Sequence, residues 1–73
     1  MKTTKTVYAH KEHTNEHGVR IDDTVYCYTT TLSSGKVYQK EYVWMHSIGD
    51  SSYCEYSYKS EKRMKDAMEK HGF

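Results

Sequence analysis

Hydrophobic and polar positions alternate most clearly in residues 19–31 and 37–48, where side-chain types change with a period of two. This period is typical of β-strands, because successive side chains point to opposite faces of a sheet. The two segments flank Ser33, Ser34 and Gly35, a sequence that suits a three-residue hairpin loop with glycine in the left-handed region. The pattern therefore predicts a long β-hairpin, and the rest of the chain is interpreted as additions to it.

The length of the hairpin loop decides which side chains share a face. A three-residue loop opposes Tyr26 to Tyr42 and Val25 to Val43, which collects aliphatic residues on one face and aromatic residues on the other. A two-residue loop would oppose Val25 to Trp44 and Tyr26 to Val43, which mixes the two sets. A slip of one residue moves every side chain relative to its neighbours. We favour the three-residue loop because it keeps the sets apart.

The remaining segments complete a small α+β domain. Residues 3–10 alternate weakly and predict a first strand, residues 11–18 are polar and predict a loop, residues 49–52 predict a turn, and residues 53–58 predict a short fourth strand. Residues 60–71 predict a helix, with Ser60 as N-cap and an apolar stripe at helical spacing. We expect one domain, residues 1–73: a small antiparallel β-meander of three to four strands with one C-terminal helix packed on one face.

Composition limits what this domain can do. Only 36% of its 73 residues are hydrophobic and the mean hydropathy is −1.01, so the core must be small, although eight tyrosines and one tryptophan partly offset the shortage of aliphatic residues. A net charge of +1 marks neither a strongly basic nucleic-acid binder nor an acidic mimic. With no apolar run long enough for a membrane span and only two cysteines, we expect a cytoplasmic protein, and we leave open whether Cys27 and Cys54 pair.

Motifs of catalysis are missing from the sequence. It contains no nucleophile elbow, phosphate-binding loop or dinucleotide fingerprint, and a chain of this size has little room for a substrate pocket. We therefore expect a protein that is not an enzyme and that carries no cofactor.

Three histidines lie close together in the polar segment: His10, His13 and His17. On a helix their spacing would place all three on one face, where three imidazoles could hold a zinc ion with an open position. The commoner explanation of such a segment is a polar loop that happens to be rich in histidine, and we favour it.

The aromatic face of the hairpin is the better candidate for binding. Its predicted members are Tyr26, Tyr28, Tyr38, Lys40, Tyr42 and Trp44, and Tyr8 could extend it. If the helix covers the aliphatic face, these side chains stay exposed, and a large exposed apolar patch usually marks an interaction site. The alternative is that the aromatic residues form the core. The polar residues on the aliphatic face (Asp23, Gln39 and Glu41) favour that alternative, because buried carboxylates are costly.

Three functional hypotheses follow from this surface. We favour a protein-binding module that acts through the Tyr/Trp-rich face or a sheet edge, such as an inhibitor, an antitoxin-like protein or a regulator encoded by a phage or mobile element. The second is single-stranded nucleic-acid binding, in which bases stack on the aromatic rings and Arg20, Lys36 and Lys40 hold the phosphates. The third is a homodimer that buries the aromatic face on a second copy.

Overall fold

Four antiparallel strands and one helix make up the computed structural model, which describes residues Met1–Phe73. The strands pair in chain order as one sheet, and the helix packs on one side of it. The elements are β1 (Lys2–Thr14), β2 (Arg20–Thr31), β3 (Val37–Ile48), β4 (Ser51–Tyr58) and α1 (Glu61–Lys70). The predicted α+β fold, with its antiparallel meander and C-terminal helix, is confirmed.

Strand β1 is longer than the sequence pattern predicts, because it continues through the polar segment to Thr14. The prediction of a loop over residues 11–18 is wrong for the first part of that segment. Polar side chains in this segment and just before it find partners across the ladder: Arg20 of β2 donates to Glu12 of β1, and His10 lies 2.8 Å from Asp22. Opposite charges on neighbouring strands stabilise pairing that hydrophobic alternation does not show.

The hairpin turn between β2 and β3 forms as predicted, but the register beyond it does not. The amide of Leu32 donates to the Lys36 carbonyl at 2.8 Å, and Gly35 adopts a φ of 88°. A β-bulge then follows, because Thr31 pairs with residue 37 and Thr30 with residue 39, so that Tyr38 is the extra residue. Past the bulge, the pairing is that of the rejected register.

The observed pairs are Val25 with Trp44 and Tyr26 with Val43. The prediction that aliphatic and aromatic residues separate onto two faces is therefore wrong. Asp23 gives a physical reason for the mixed arrangement. Without the bulge this buried carboxylate would lie opposite Met45, which offers it no donor; with the bulge it lies opposite His46.

Two hydrogen bonds satisfy Asp23 in this register. The Nδ1 atom of His46 donates to Oδ1 of Asp23 at 2.6 Å, and Nε1 of Trp44 donates to the same oxygen at 2.9 Å. A buried ionised carboxylate without donors is strongly disfavoured, because it loses its hydration and gains nothing in return. The bulge at Tyr38 thus brings the donors to the acid.

The core lies between α1 and one face of the sheet, which we call the covered face. Ser60 caps the helix by accepting a hydrogen bond from the amide of Arg63 at 3.4 Å, as its predicted N-cap role requires. The helix buries Met64 and Ala67 against the sheet. The six buried hydrophobic residues are Val25, Cys27, Tyr42, Trp44, Met64 and Ala67.

The end of the helix is fixed by its last residues. The amide of Phe73 donates to the Met68 carbonyl at 2.7 Å and the amide of Gly72 to the Glu69 carbonyl at 3.4 Å, which is a Schellman motif. Gly72 has a φ of 73°, a conformation that favours glycine. The motif turns the chain back so that the Phe73 ring meets the Trp44 ring edge-on at 5.1 Å.

The molecule is long and thin, with Cα extents of 50 × 24 × 14 Å. A helix of ten residues is only about 15 Å long, so it covers part of one face and leaves the opposite face without a layer. This helix is neither long nor apolar enough to cross a membrane. Cys27 is buried on the covered face and Cys54 is exposed, and both are free thiols.

Candidate functional site

The six residues predicted to form one aromatic face are divided between the two sides of the sheet. Tyr42 and Trp44 are only 5% and 4% exposed, beneath the helix. Tyr26 and Tyr28 are half-buried and lie on the side opposite the helix, which we call the open face. The expectation of a single exposed aromatic face is therefore wrong for Tyr42 and Trp44, because the bulge exchanges the faces of β3 relative to β2.

The other two predicted residues stand apart from both pairs. Tyr38 is 62% exposed at the bulge near the hairpin turn. Lys40 is exposed and pairs with Thr29, between the bulge and the core. Neither adjoins a continuous row of aromatic rings on the open face.

The open face carries an apolar centre that spans three strands. Val7 of β1, Tyr26 of β2 and Val43 of β3 follow one another across the ladder, and Val7 is 63% exposed. Tyr28 and Met45 lie on the same face in the neighbouring rows. We call these five residues the open-face patch: Val7, Tyr26, Tyr28, Val43 and Met45.

One cation lies directly on this patch. The Nζ atom of Lys5 is 4.0 Å from the centroid of the Tyr26 ring and 5.9 Å from that of the Tyr28 ring. Both distances are within the range of cation–π contacts, which orient the ammonium group over the ring faces. Lys5 thus places a positive charge over the two tyrosine rings of an apolar surface.

Sequence reasoning missed Lys5 and Val7 as members of this surface. Their alternation in β1 was visible, but their neighbours depend on the pairing of β1 with β2, in which Val7 pairs with Tyr26 and Ala9 with Val25. Tyr8 is the extra residue of a bulge between those pairs. A bulge of this kind leaves little trace in the alternation of residue types.

Tyr8 belongs to the covered face, and it does not extend the open-face patch as expected. Its ring meets the Tyr42 ring edge-on at 5.2 Å, and its hydroxyl donates to Oε2 of Glu61 at 2.9 Å. Burial and the hydrogen bond to the Glu61 carboxylate raise the pKa of Tyr8 to about 12. The contact joins β1 to the first turn of the helix.

A polar recess of about 210 Å³ lies beside the covered face, next to Asp23. Its lining includes Lys11, His46, Tyr53, Glu55 and His71. Burial would raise the pKa of Asp23, but the hydrogen bonds from His46 and Trp44 outweigh it and lower the pKa below its ordinary value. Both donors are thus engaged in keeping Asp23 ionised within the sheet, which is a structural task.

The basic residues of the nucleic-acid hypothesis lie away from the tyrosines. Arg20 is paired with Glu12 and Asp22, and Lys36 lies in the hairpin turn. Lys40 lies between the bulge and the core. The three basic side chains therefore do not lie around one group of aromatic rings.

The three histidines of the polar segment do not come together. His10 and His13 are three residues apart on strand β1, so their side chains point to opposite faces, and His17 lies in the following turn beside Glu16 at 3.5 Å. The three-histidine zinc site, which is the less favoured interpretation of this segment, is therefore not formed. His10 instead meets Asp22 at 2.8 Å, near Glu12.

Comparisons of the chain with protein-family models, with curated proteins and with solved structures find no match. Function is therefore inferred from the geometry of the chain alone.

Proposed function

We propose that the protein is a small protein-binding module whose docking surface is the open face of its sheet. The observation that carries this proposal is the one-sided packing of the fold. The only helix covers the opposite face, so no element covers the open-face patch, in which Val7 is 63% exposed and the other four residues are half-buried. A contiguous apolar surface that no element covers is a candidate interaction site.

The chemistry of the patch suits a protein partner. Tyrosine and methionine are enriched in protein interfaces, and tyrosine is frequent among the residues that carry most of the binding energy. Charged groups flank the patch, with Lys5 over its tyrosines and Glu41 opposite Tyr28. A partner with an apolar centre and an acidic group near Lys5 would match this arrangement.

The role of an inhibitor or regulator fits the same geometry. Such a protein needs a rigid docking face and no reaction centre, and a phage or mobile element is the source that we propose for it. The outer edges of β1 and β4 are unpaired and offer a second way to bind, by addition of a strand. Lysines along β1 (Lys2, Lys5 and Lys11) make that edge less favourable, since charged edge residues discourage pairing.

Single-stranded nucleic acid is the less favoured ligand. Two of its proposed stacking residues, Tyr42 and Trp44, are buried in the core, and Tyr38 stands apart from Tyr26 at the bulge. The cation that lies over Tyr26 is Lys5, and none of the three proposed basic residues lies there. Nucleic-acid binding would fall steeply with salt, whereas docking of an apolar patch would not. A salt series with labelled oligonucleotides separates the two.

Site-specific photo-crosslinking in the source cell tests the proposed face. A crosslinking amino acid is placed at Val7, in the patch, or at Tyr38, which is equally exposed but at the bulge. We expect a crosslinked protein from position 7 that disappears when Tyr26→Ala is added, and none from position 38. Crosslinks from position 38 that survive Tyr26→Ala would contradict the proposal.

A homodimer is one outcome of the same experiment. If the species crosslinked through position 7 is a second copy of the chain, the open faces pack on each other, and sedimentation at increasing concentration should show dimers. A monomer at all concentrations together with a heterologous crosslink identifies a separate partner.

A further inference from the structure

We propose that His10, Glu12 and Asp22 form a binding site for a divalent metal ion of the zinc class on the ladder between β1 and β2. This proposal is independent of protein binding by the patch. It uses none of the patch residues, and of the three histidines considered from the sequence it uses only His10.

The register of the ladder assembles the three side chains. His10 and Glu12 are two residues apart on β1 and so point to the same face, while Asp22 of β2 pairs directly with Glu12. Nε2 of His10 is 2.8 Å from Oδ1 of Asp22, and the ligand atoms of all three residues lie within 4.8 Å of one another. Three donors therefore converge on one point above two paired strands.

These distances are close to those a metal ion requires. Zinc binds imidazole nitrogen and carboxylate oxygen at about 2.0–2.2 Å, which places tetrahedral ligand atoms roughly 3.4 Å apart. A small rotation of the His10 side chain away from Asp22 would widen the distance between Nε2 and Oδ1 to that value. The side chains of His10 and Glu12 are 42% and 49% exposed, so water can reach the metal and complete its coordination.

The donor set selects the class of metal. One imidazole nitrogen with two carboxylates suits zinc, cobalt or nickel, whereas calcium requires six to eight oxygen ligands. The backbone positions of the donors are fixed by paired strands, so binding does not have to order a loop first. Metal ligation across the ladder should also stabilise the pairing of β1 with β2.

Arg20 gives the proposal a distinctive consequence. Its Nη2 atom contacts the Glu12 carboxylate and lies 3.3 Å from Oδ2 of Asp22, so its guanidinium neutralises the same two carboxylates that a metal would use. A divalent cation must compete with this group. Removal of Arg20 should therefore strengthen metal binding, although Arg20 is itself no metal ligand.

Calorimetric titration with zinc chloride tests the site, with the thiols kept reduced. We expect one saturable site per chain in the native protein, loss of that site in His10→Ala and in Asp22→Asn, and retention in His13→Ala and His17→Ala. The last two are matched controls, because they remove a histidine of the same segment that lies outside the cluster. Circular dichroism of each variant establishes that it is folded.

The variants Arg20→Gln and Cys54→Ser complete the test. Tighter zinc binding in Arg20→Gln and unchanged binding in Cys54→Ser support the proposal, as does a thermal midpoint that rises with zinc in the native chain. No saturable binding, or equal binding in the native protein and in folded His10→Ala, would overturn it. Loss of binding in Cys54→Ser would also overturn it, because the exposed thiol would then be the ligand.

Discussion

The covered face and the open face of the sheet use the same kinds of residue for different purposes. On the covered face, Tyr42 and Trp44 are almost inaccessible and pack against the helix. On the open face, Tyr26 and Tyr28 are half-buried and lie beneath a single lysine. Along β2 and β3, the residues that face the helix form the core, and the residues between them form the open face.

This contrast shows that the number of tyrosines in a chain does not indicate where an interaction surface lies. An aromatic side chain is amphipathic, so its sequence position is compatible with the core and with a binding face. The register of β2 against β3 makes the choice here. The following predictions test the contrast between the faces, from the largest expected effect to the smallest.

Truncation of Trp44 should show the largest difference in stability effect between the two faces. Trp44→Ala removes the ring that contacts Phe73 and Tyr56 and also a hydrogen bond to Asp23, so we expect a loss of about 3–5 kcal/mol of unfolding free energy. Tyr26→Ala on the open face should cost about 1 kcal/mol or less. Urea unfolding followed by circular dichroism measures both, and equal losses would remove the distinction between core and surface.

Acidification should destabilise the covered face through Asp23. Because hydrogen bonds lower the pKa of this group in the folded state, its contribution to stability is present above the ordinary value of 3.8 and is lost as the pH falls below it. In Asp23→Asn this contribution is missing at every pH. Urea unfolding between pH 3 and about 6 should show a steeper acid loss in the native protein than in the variant; parallel curves would contradict the assignment.

A methyl group added at Gly72 should destabilise the C-terminal cap of the helix, which packs Phe73 on the covered face. Gly72 has a φ of 73° with no neighbouring atom within 4 Å, so Gly72→Ala meets backbone strain but no clash. We expect a loss of roughly 1 kcal/mol, together with a change in Trp44 fluorescence as Phe73 moves from its ring. Unaltered stability and emission would show that the cap contributes little to the core.

The open face should tolerate polar substitution best. Val7 is 63% exposed, so Val7→Ser should change the free energy of unfolding by no more than about 0.5 kcal/mol. The same variant should weaken the proposed partner interaction. Thermal unfolding checks the first expectation, and a marked loss of stability would mean that Val7 packs as part of a second core.

Much of the fold could be predicted from the sequence because it depends on local signals. The helix follows from its spacing of Met64 and Ala67 behind the Ser60 cap, and the hairpin turn follows from Gly35. These features need only a few neighbouring residues to specify them.

The candidate site was harder to predict because it depends on pairing between strands. The bulges at Tyr8 and Tyr38 each shift a ladder by one residue. The first decides which residues of β1 join the open face, and the second decides that Tyr42 and Trp44 face the helix. The second bulge gives Asp23 its two donors, and this becomes visible only when β2 and β3 are paired. A preference for grouping like residues gave the wrong register.

The bulge at Tyr38 also determines where β3 can lose a residue without a change in the rest of the hairpin. Loss of the Tyr38 codon would leave residue 37 opposite Thr31 and residue 39 opposite Thr30, so all other pairs of the hairpin could persist. Loss of the Val43 codon would force one flank of β3 to move along the ladder. Moving the preceding residues brings the Glu41 carboxylate opposite Cys27 and under the helix, and moving the following residues takes Trp44 out of the core to lie opposite Tyr26. Single-codon deletions in β3 should therefore be neutral near the bulge and harmful near the core.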